Sequence, residues 1–254
     1  MPVQAILGNL LRPETLDRLP AGCDTVVHLA GKTRVIRSEE FLAGNHQATV
    51  NLVLALLRLP APPRRFIHIS SLAAAGPASE PGGREETDSP DPISWYGRSK
   101  LAGEQALYPL IKAGCDTLIL RPPAVYGPED RDTLEFFKLV RRGFLPRFGR
   151  EERFYSHIHV ADLVRGIHAA LARPCGSFPL GDIFFLAHPS PASWTGFLTG
   201  IAEVSGKKLR PLRVPVPLLR TLGWGNDLLA RLTGRPRPLS RDKVNELLGR
   251  NPVT

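Results

Sequence analysis

The stretch Arg65–Gly76, RFIHISSLAAAG, decides the reading of this chain. Five residues of strand-forming character run without alternation into two serines and a small-residue turn. An apolar run without alternation fits a strand buried on both faces, as in a parallel sheet. Outward from it, the same rhythm repeats. Thr25–Leu29 (TVVHL) and Thr117–Leu120 (TLIL) read as further strands, and Val3–Leu7 as a short one. Ser38–Leu57 reads as a helix stopped by Pro60, Pro62 and Pro63, and Ser94–Ala113 as a helix ended by Gly114. Gly76–Pro92 is rich in Gly, Pro, Ser and Asp and reads as a loop. Strands alternating with helices argue for βαβ units. Later in the chain, Asp132–Arg142, Val160–Ala172, Trp194–Ser205 and Leu218–Leu232 read as helices, and Ile183–Ala187 as a strand.

The chain has 254 residues, 43% hydrophobic and 22% charged, which excludes wholesale disorder. No stretch reaches the eighteen uncharged apolar residues that a spanning helix needs. Met1–Leu16 has no basic segment before an apolar run, which argues against a signal peptide. Cys23, Cys115 and Cys175 stand far apart, which suits a reducing cytoplasm and offers no zinc spacing; no metal site is expected. The net charge of +9 is uneven. Residues 207–254 carry 11 Lys/Arg against three acids, a net of +8, whereas the first 206 residues are nearly balanced. Such a tail attracts phosphate groups or an anionic membrane; no nucleic-acid motif accompanies it.

Tyr96-Gly97-Arg98-Ser99-Lys100 carries the chemistry. Four residues apart on a helix, Tyr96 and Lys100 share a face. A Tyr hydroxyl titrates at about 10, and a nearby ammonium favours its phenolate. The pair then exchanges a proton with a carbinol oxygen. Ser70-Ser71 ends the strand RFIHI, and in a doubly wound sheet the carboxyl ends of strands face the ligand crevice. A hydroxyl there either holds a substrate oxygen for Tyr96 or bonds the loop backbone.

Six blocks follow in order: HLAG (His28–Gly31), NHQATVNLV (Asn45–Val53), FIHISSLAAAG (Phe66–Gly76), YGRSK (Tyr96–Lys100), LRPPAVYGP (Leu120–Pro128) and HVADLV (His159–Val164). Together they resemble the extended short-chain dehydrogenase/reductase family, also called the NAD-dependent epimerase/dehydratase family. The resemblance covers most of residues 3–175. It implies an α/β, Rossmann-like doubly wound parallel sheet with a small C-terminal substrate lobe. Residues 1–150 are expected to form a partial dinucleotide-binding domain, and 151–254 mostly the substrate lobe, with some elements returning to the core.

The resemblance also implies roles. Tyr96 is the acid/base, Lys100 tunes it and binds the nicotinamide ribose, Ser71 holds the reacting oxygen, and Asn45 supports the site. Ala30 and Gly31 pass beneath the cofactor phosphates, Ser70 adjoins the site, and Pro123 and Val125 meet the nicotinamide amide. Asn9 lies beside the adenine. Lys32, Arg147 and Arg153 are candidate substrate contacts, and Asp162 is read as a helix cap. The implied cofactor is NAD or NADP, the implied location cytoplasmic, and a homodimer is allowed by analogy.

The family opens on a strand, a Gly-rich turn and a helix that place backbone N–H groups on the pyrophosphate. No such turn occurs in these 254 residues, and VQAILGNL resembles the family's third strand. The expectation is therefore a chain lacking two strands and their helices, roughly 50–60 residues, with an open edge on the strand TVVHL. A start further upstream, a degraded gene and a partner that covers the edge all remain open.

Two substrate classes compete. One is a nucleotide sugar or similar, epimerised or dehydrated. The other follows from FYSHIHVADL and the PLSRDKV tail (Pro238–Val244), which resemble the 3β-hydroxysteroid dehydrogenase and dihydroflavonol reductase branch. A third reading is a non-catalytic interaction or membrane-surface module using Leu218–Leu232 and its flanking arginines.

Overall fold

A computed structural model describes residues 3–78, 83–148, 152, 154–237 and 239–248. Its elements run Thr25–His28 (β1), Glu39–Phe41 (α1), a π-helical turn Leu42–Gln47, Ala48–Leu57 (α2), Arg65–Ile69 (β2), Trp95–Gln105 (α3), Tyr108–Lys112 (α4), Asp116–Arg121 (β3) and Ala124–Tyr126 (β4). Then come Arg131–Arg141 (α5), Phe144–Phe148 (β5), Phe154–Tyr155 (β6), His157–His159 (β7), Val160–Ala172 (α6), Asp182–Phe185 (β8), Ala192–Ser193 (β9), Trp194–Val204 (α7), Arg210–Val214 (β10), Val216–Thr233 (α8) and Arg241–Leu248 (α9).

Four strands form the main sheet in the order β1-β2-β3-β8, all parallel. Every residue of β2 and β3 is buried, as in the middle of a parallel sheet, and their polar members Arg65, His68, Asp116, Thr117 and Arg121 are buried with the apolar ones. One face packs Phe66 and Ile119 against Leu52, Val53, Leu56, Leu107 and Leu110 of the flanking helices. The other packs Ile67, Ile69, Leu118 and Leu120 against Ile167 and Leu171 of α6. Two buried charges tie these layers together. Arg65 donates to Asp116 Oδ2 through Nε at 2.8 Å and Nη2 at 2.6 Å. Its Nη1 reaches the carbonyls of Ala170, Leu171 and Arg173, so it also closes the C-terminus of α6, whose last carbonyls lack helical partners.

Three expectations need correcting. Val3–Leu7 is not a strand, and Val3 and Leu7 are almost fully exposed. A strand is held by a neighbour's hydrogen bonds, and this segment pairs with none of the described strands. β1 pairs with β2 alone among the described residues, the open edge anticipated for TVVHL. The helix expected over Ser94–Ala113 is two helices. Pro109, which has no N–H to bond back into α3, sits in the first turn of α4, where that donor is not needed. Asp162 does not cap α6. His159 accepts from Ala161 N at 3.2 Å, and Asp162 pairs with Arg165.

Candidate active site

β2 delivers Ser70 and Ser71 to its carboxyl end, beside the end of β3. Leu72 N donates to Pro122 O at 2.8 Å, so the turns after β2 and β3 lie side by side. This places Ser71 next to the segment that holds Pro123 and Val125. Ser71 Oγ accepts from Ala73 N at 3.2 Å and lies near enough to the Tyr96 phenol to lower its pKa. The loop-cap reading of this serine holds, and its hydroxyl faces Tyr96.

α3 approaches this turn closely because two of its residues are glycine. A Cβ at Gly97 falls far inside contact distance of the Ala73 carbonyl oxygen. A Cβ at Gly103 sits 2.8 Å from Asn45 O. Between them, Lys100 is buried and its Nζ donates to Ile69 O at 2.7 Å. Burial pulls this ammonium down to about 8, against a raising influence from Glu104. For Tyr96 burial is the largest influence and raises its pKa; the Ser71 hydroxyl and Lys243 lower it, and Glu246 raises it. Lys100 is not among these influences, so its anticipated pull on the phenol is not seen, and burial raises the Tyr96 pKa above its ordinary value.

Asn45 lies in the π-helical turn and is 2% exposed. Its Nδ2 donates to Ser99 Oγ at 2.8 Å and Lys32 O at 3.0 Å, and its Oδ1 accepts from Lys32 N at 2.7 Å. One amide thus ties the loop leaving β1 to the helix bearing Tyr96 and Lys100. A Cβ at Gly31 meets Asn45 Oδ1 at 2.9 Å, so a side chain there displaces the Asn45 amide, while Lys100 Nζ at 3.6 Å stays in ordinary contact. Ala30 and Gly31 are exposed at the carboxyl end of β1.

Other candidates have different neighbours. Ser70 is buried and donates to Glu104 Oε1. Asn9 Oδ1 accepts from Leu11 N at 2.9 Å, which commits it to its own turn. Lys32 Nζ pairs with Glu40 at 3.4 Å. Arg147 pairs with Glu152 at 3.3 Å, and Glu152 in turn accepts from Thr195 N and Oγ1, both at 2.8 Å. Arg153 lies outside the described residues.

Two buried groups behind the site escaped the sequence reading. Glu104 accepts from Arg121 Nε at 2.9 Å and Nη2 at 2.6 Å. Its signal was present: Tyr96, Lys100 and Glu104 recur every four residues on one helix face. His28 and His68 pack with ring centres 5.3 Å apart. Thr49 Oγ1 donates to Asn45 O, so His28 Nε2 donates to Thr49, and His28 is the neutral tautomer carrying hydrogen there. Burial, with Lys100 assisting, lowers His28 to about 4.

The residues present fit the nicotinamide–ribose part of a dinucleotide. A buried ammonium, a phenol and an open glycine stand at the carboxyl ends of adjacent parallel strands. For the pyrophosphate the 254 residues offer no Gly-rich turn.

Comparison with known proteins agrees with this geometry. The NAD dependent epimerase/dehydratase family pattern matches residues 2–181. Ceramide reductase of Caulobacter vibrioides is 33% identical over 98% of this chain and 71% of that protein. The 4-hydroxy-2-methyl-3-oxo-4-farnesyl-3,4-dihydroquinoline-1-oxide ketoreductase of Stigmatella aurantiaca is 28% identical over 97% and 74%. The crystal structure of UDP-glucuronic acid 4-epimerase from Bacillus cereus in complex with NAD superposes with a TM-score of 0.66 at 26% identity. That match covers 78% of this chain and 65% of the epimerase.

Proposed function

The chain belongs to the NAD dependent epimerase/dehydratase family, and from that premise we propose that it is an NAD(P)-dependent reductase acting on a ketone within a long apolar substrate. The observation that carries the chemistry is the approach of the Ser71 hydroxyl to the half-buried Tyr96 phenol, with Lys100 one turn further along α3. Bound nicotinamide supplies or accepts the hydride. Ser71 and Tyr96 converge on a carbonyl oxygen, and Tyr96 gives it a proton as the alcohol forms. The buried Lys100 ammonium holds the ribose and keeps positive charge beside the developing alkoxide. Asn45 keeps the loop after β1 and α3 in register.

The substrate class rests on a groove of about 440 Å³ lined by Phe137, His157, Phe197, Ile201 and Val204. Tyr126, at the end of β4, packs edge-on to Phe197 at 6.0 Å, which links this groove to the segment following Pro123. The lining is apolar, and Arg147, the described candidate for a diphosphate, is already paired with Glu152. Two relatives are named for reductions of a ceramide and of a farnesyl-bearing ring, both apolar. A nucleotide sugar, as in the Bacillus epimerase, ranks second. The test is oxidation of NADH or NADPH with a long-chain 3-oxo amide against a panel of UDP- and dTDP-hexoses. Turnover of the amide is expected; turnover of a nucleotide sugar alone overturns the substrate class.

One observation favours a further role at an anionic bilayer. Leu218, Leu222, Leu228, Leu229 and Leu232 form an exposed apolar arc along α8, which Trp224 extends to an edge carrying Arg220 and Arg231. Leu219, Gly223 and Ala230 occupy the buried face. An apolar stripe flanked by arginines in a segment of net charge +8 matches an anionic lipid surface, where an apolar substrate resides. No described helix is long and apolar enough to cross a membrane.

A further inference from the structure

Three side chains of α9 converge on the first turn of α3. Asp242 Oδ1 accepts from Trp95 N at 2.7 Å, and its Oδ2 accepts from Tyr96 N at 3.0 Å. Ser94, the N-cap of α3, accepts from Gly97 N at 2.9 Å and donates to Glu246 Oε1 at 2.8 Å. Lys243 Nζ lies 3.1 Å from Glu246 Oε2, its side chain half-exposed. The leading N–H groups of a helix have no partners within it. Here they are satisfied by a carboxylate about 146 residues further along the chain. α9 is itself seated on α8. A Cβ at Gly223 is 3.0 Å from Val244 Cγ2, and Asn226 Nδ2 donates to Leu239 O at 3.0 Å.

We propose that α9 is a positioning element of the active site: Asp242 and Glu246 fix the first turn of α3, and with it Tyr96, while Lys243 brings an ammonium to the same end of the helix. The proposal rests on the reading of Tyr96 as the acid–base group. Tyr96 faces Ser71 at its hydroxyl and is held by Asp242 at its own backbone N–H. Small displacements of a proton donor lose most of its effect, so a clamp on this turn is worth more than its hydrogen bonds alone. The groups facing Tyr96 are the Ser71 hydroxyl, the edge-on Phe41 ring at 5.7 Å, Glu246 and Lys243. Glu246 opposes the phenolate and Lys243 favours it. The position of α9 therefore sets both where the hydroxyl sits and how readily it gives up its proton.

The test needs no substrate. The full chain is labelled with 3-fluorotyrosine and followed by fluorine NMR across pH; the resonance lost in Tyr96→Phe assigns Tyr96 among the four tyrosines. Lys243→Met is expected to raise the Tyr96 midpoint and Glu246→Gln to lower it. Asp242→Ala shifts the Tyr96 resonance while Tyr126 and Tyr155 stay in place. The exposed Lys207→Met serves as the control and moves nothing. Opposite midpoint shifts with a local Asp242 effect support the proposal; any other pattern overturns it. Hydride transfer that survives Tyr96→Phe instead refutes the acid–base reading, whatever the titrations show.

Discussion

Replacing Arg121 with methionine strands a carboxylate in the centre of the protein. Glu104 and Arg121 have side chains only 5% and 2% exposed, and their two hydrogen bonds are 2.6 and 2.9 Å long. Without the guanidinium, Glu104 keeps the Ser70 hydroxyl and loses its counter-charge. Removing one partner of a buried pair costs about 3–5 kcal/mol. At about 2–4 °C per kcal/mol for a chain of this size, Tm falls by roughly 6–20 °C. The double variant Glu104→Leu/Arg121→Met removes both charges and is expected within about 2 kcal/mol of the parent. Urea unfolding at pH 7, followed by tryptophan fluorescence, measures all three chains. A single variant within about 1 kcal/mol of the parent, or a double no better than the single, refutes the account of this pair.

Lys100, held down to about 8 by burial, loses its charge as pH rises through that value, so reduction falls on the alkaline side. Glu104→Gln removes a raising influence and moves that limb to lower pH, read from kcat/KM profiles; an unmoved or raised limb contradicts this. His28 is lowered from 6.5 to about 4, so its contribution to stability is complete above 6.5 and lost as pH falls towards 4. That is a loss on the order of 3 kcal/mol in urea titrations, and a flat profile over this window excludes it. Gly31→Ala pushes the Asn45 amide off at least one of its three bonds, and is expected to cut turnover about tenfold or more while the far-UV spectrum is kept. Vesicles with anionic lipid pellet the parent chain, and Leu222→Glu/Leu229→Glu abolishes this; pelleting that survives the double variant contradicts the α8 surface.

What the sequence makes legible is what local chemistry controls. RFIHI is a strand over the residues read because Phe66, Ile67 and Ile69 put apolar side chains on both faces, which fits the middle of a parallel sheet. Val160–Ala172 is a helix over the residues read, since it carries a wide apolar stripe. Val3–Leu7 has the same apolar character, yet strand structure there depends on a neighbour, and the residues alone do not say which neighbour is present. The π-helical turn at Leu42–Gln47 has no local signature; it accompanies an Asn45 side chain bonded to Lys32 and Ser99, 13 and 54 residues away. Tyr96, Lys100, Ser71 and Asn45 are brought together as a single cluster, because their motifs sit at strand ends and on one helix face. Asp242 was invisible as a helix cap, since its partners are about 146 residues away and nothing in SRDKV marks it.

The most direct test of the central claim compares the parent chain with Tyr96→Phe, using loss of reduced-nicotinamide absorbance with a long-chain 3-oxo amide, and nicotinamide fluorescence for binding. The account predicts turnover at least about 100-fold lower in the variant, with NADH or NADPH binding within about threefold of the parent. Equal turnover in the two chains contradicts it.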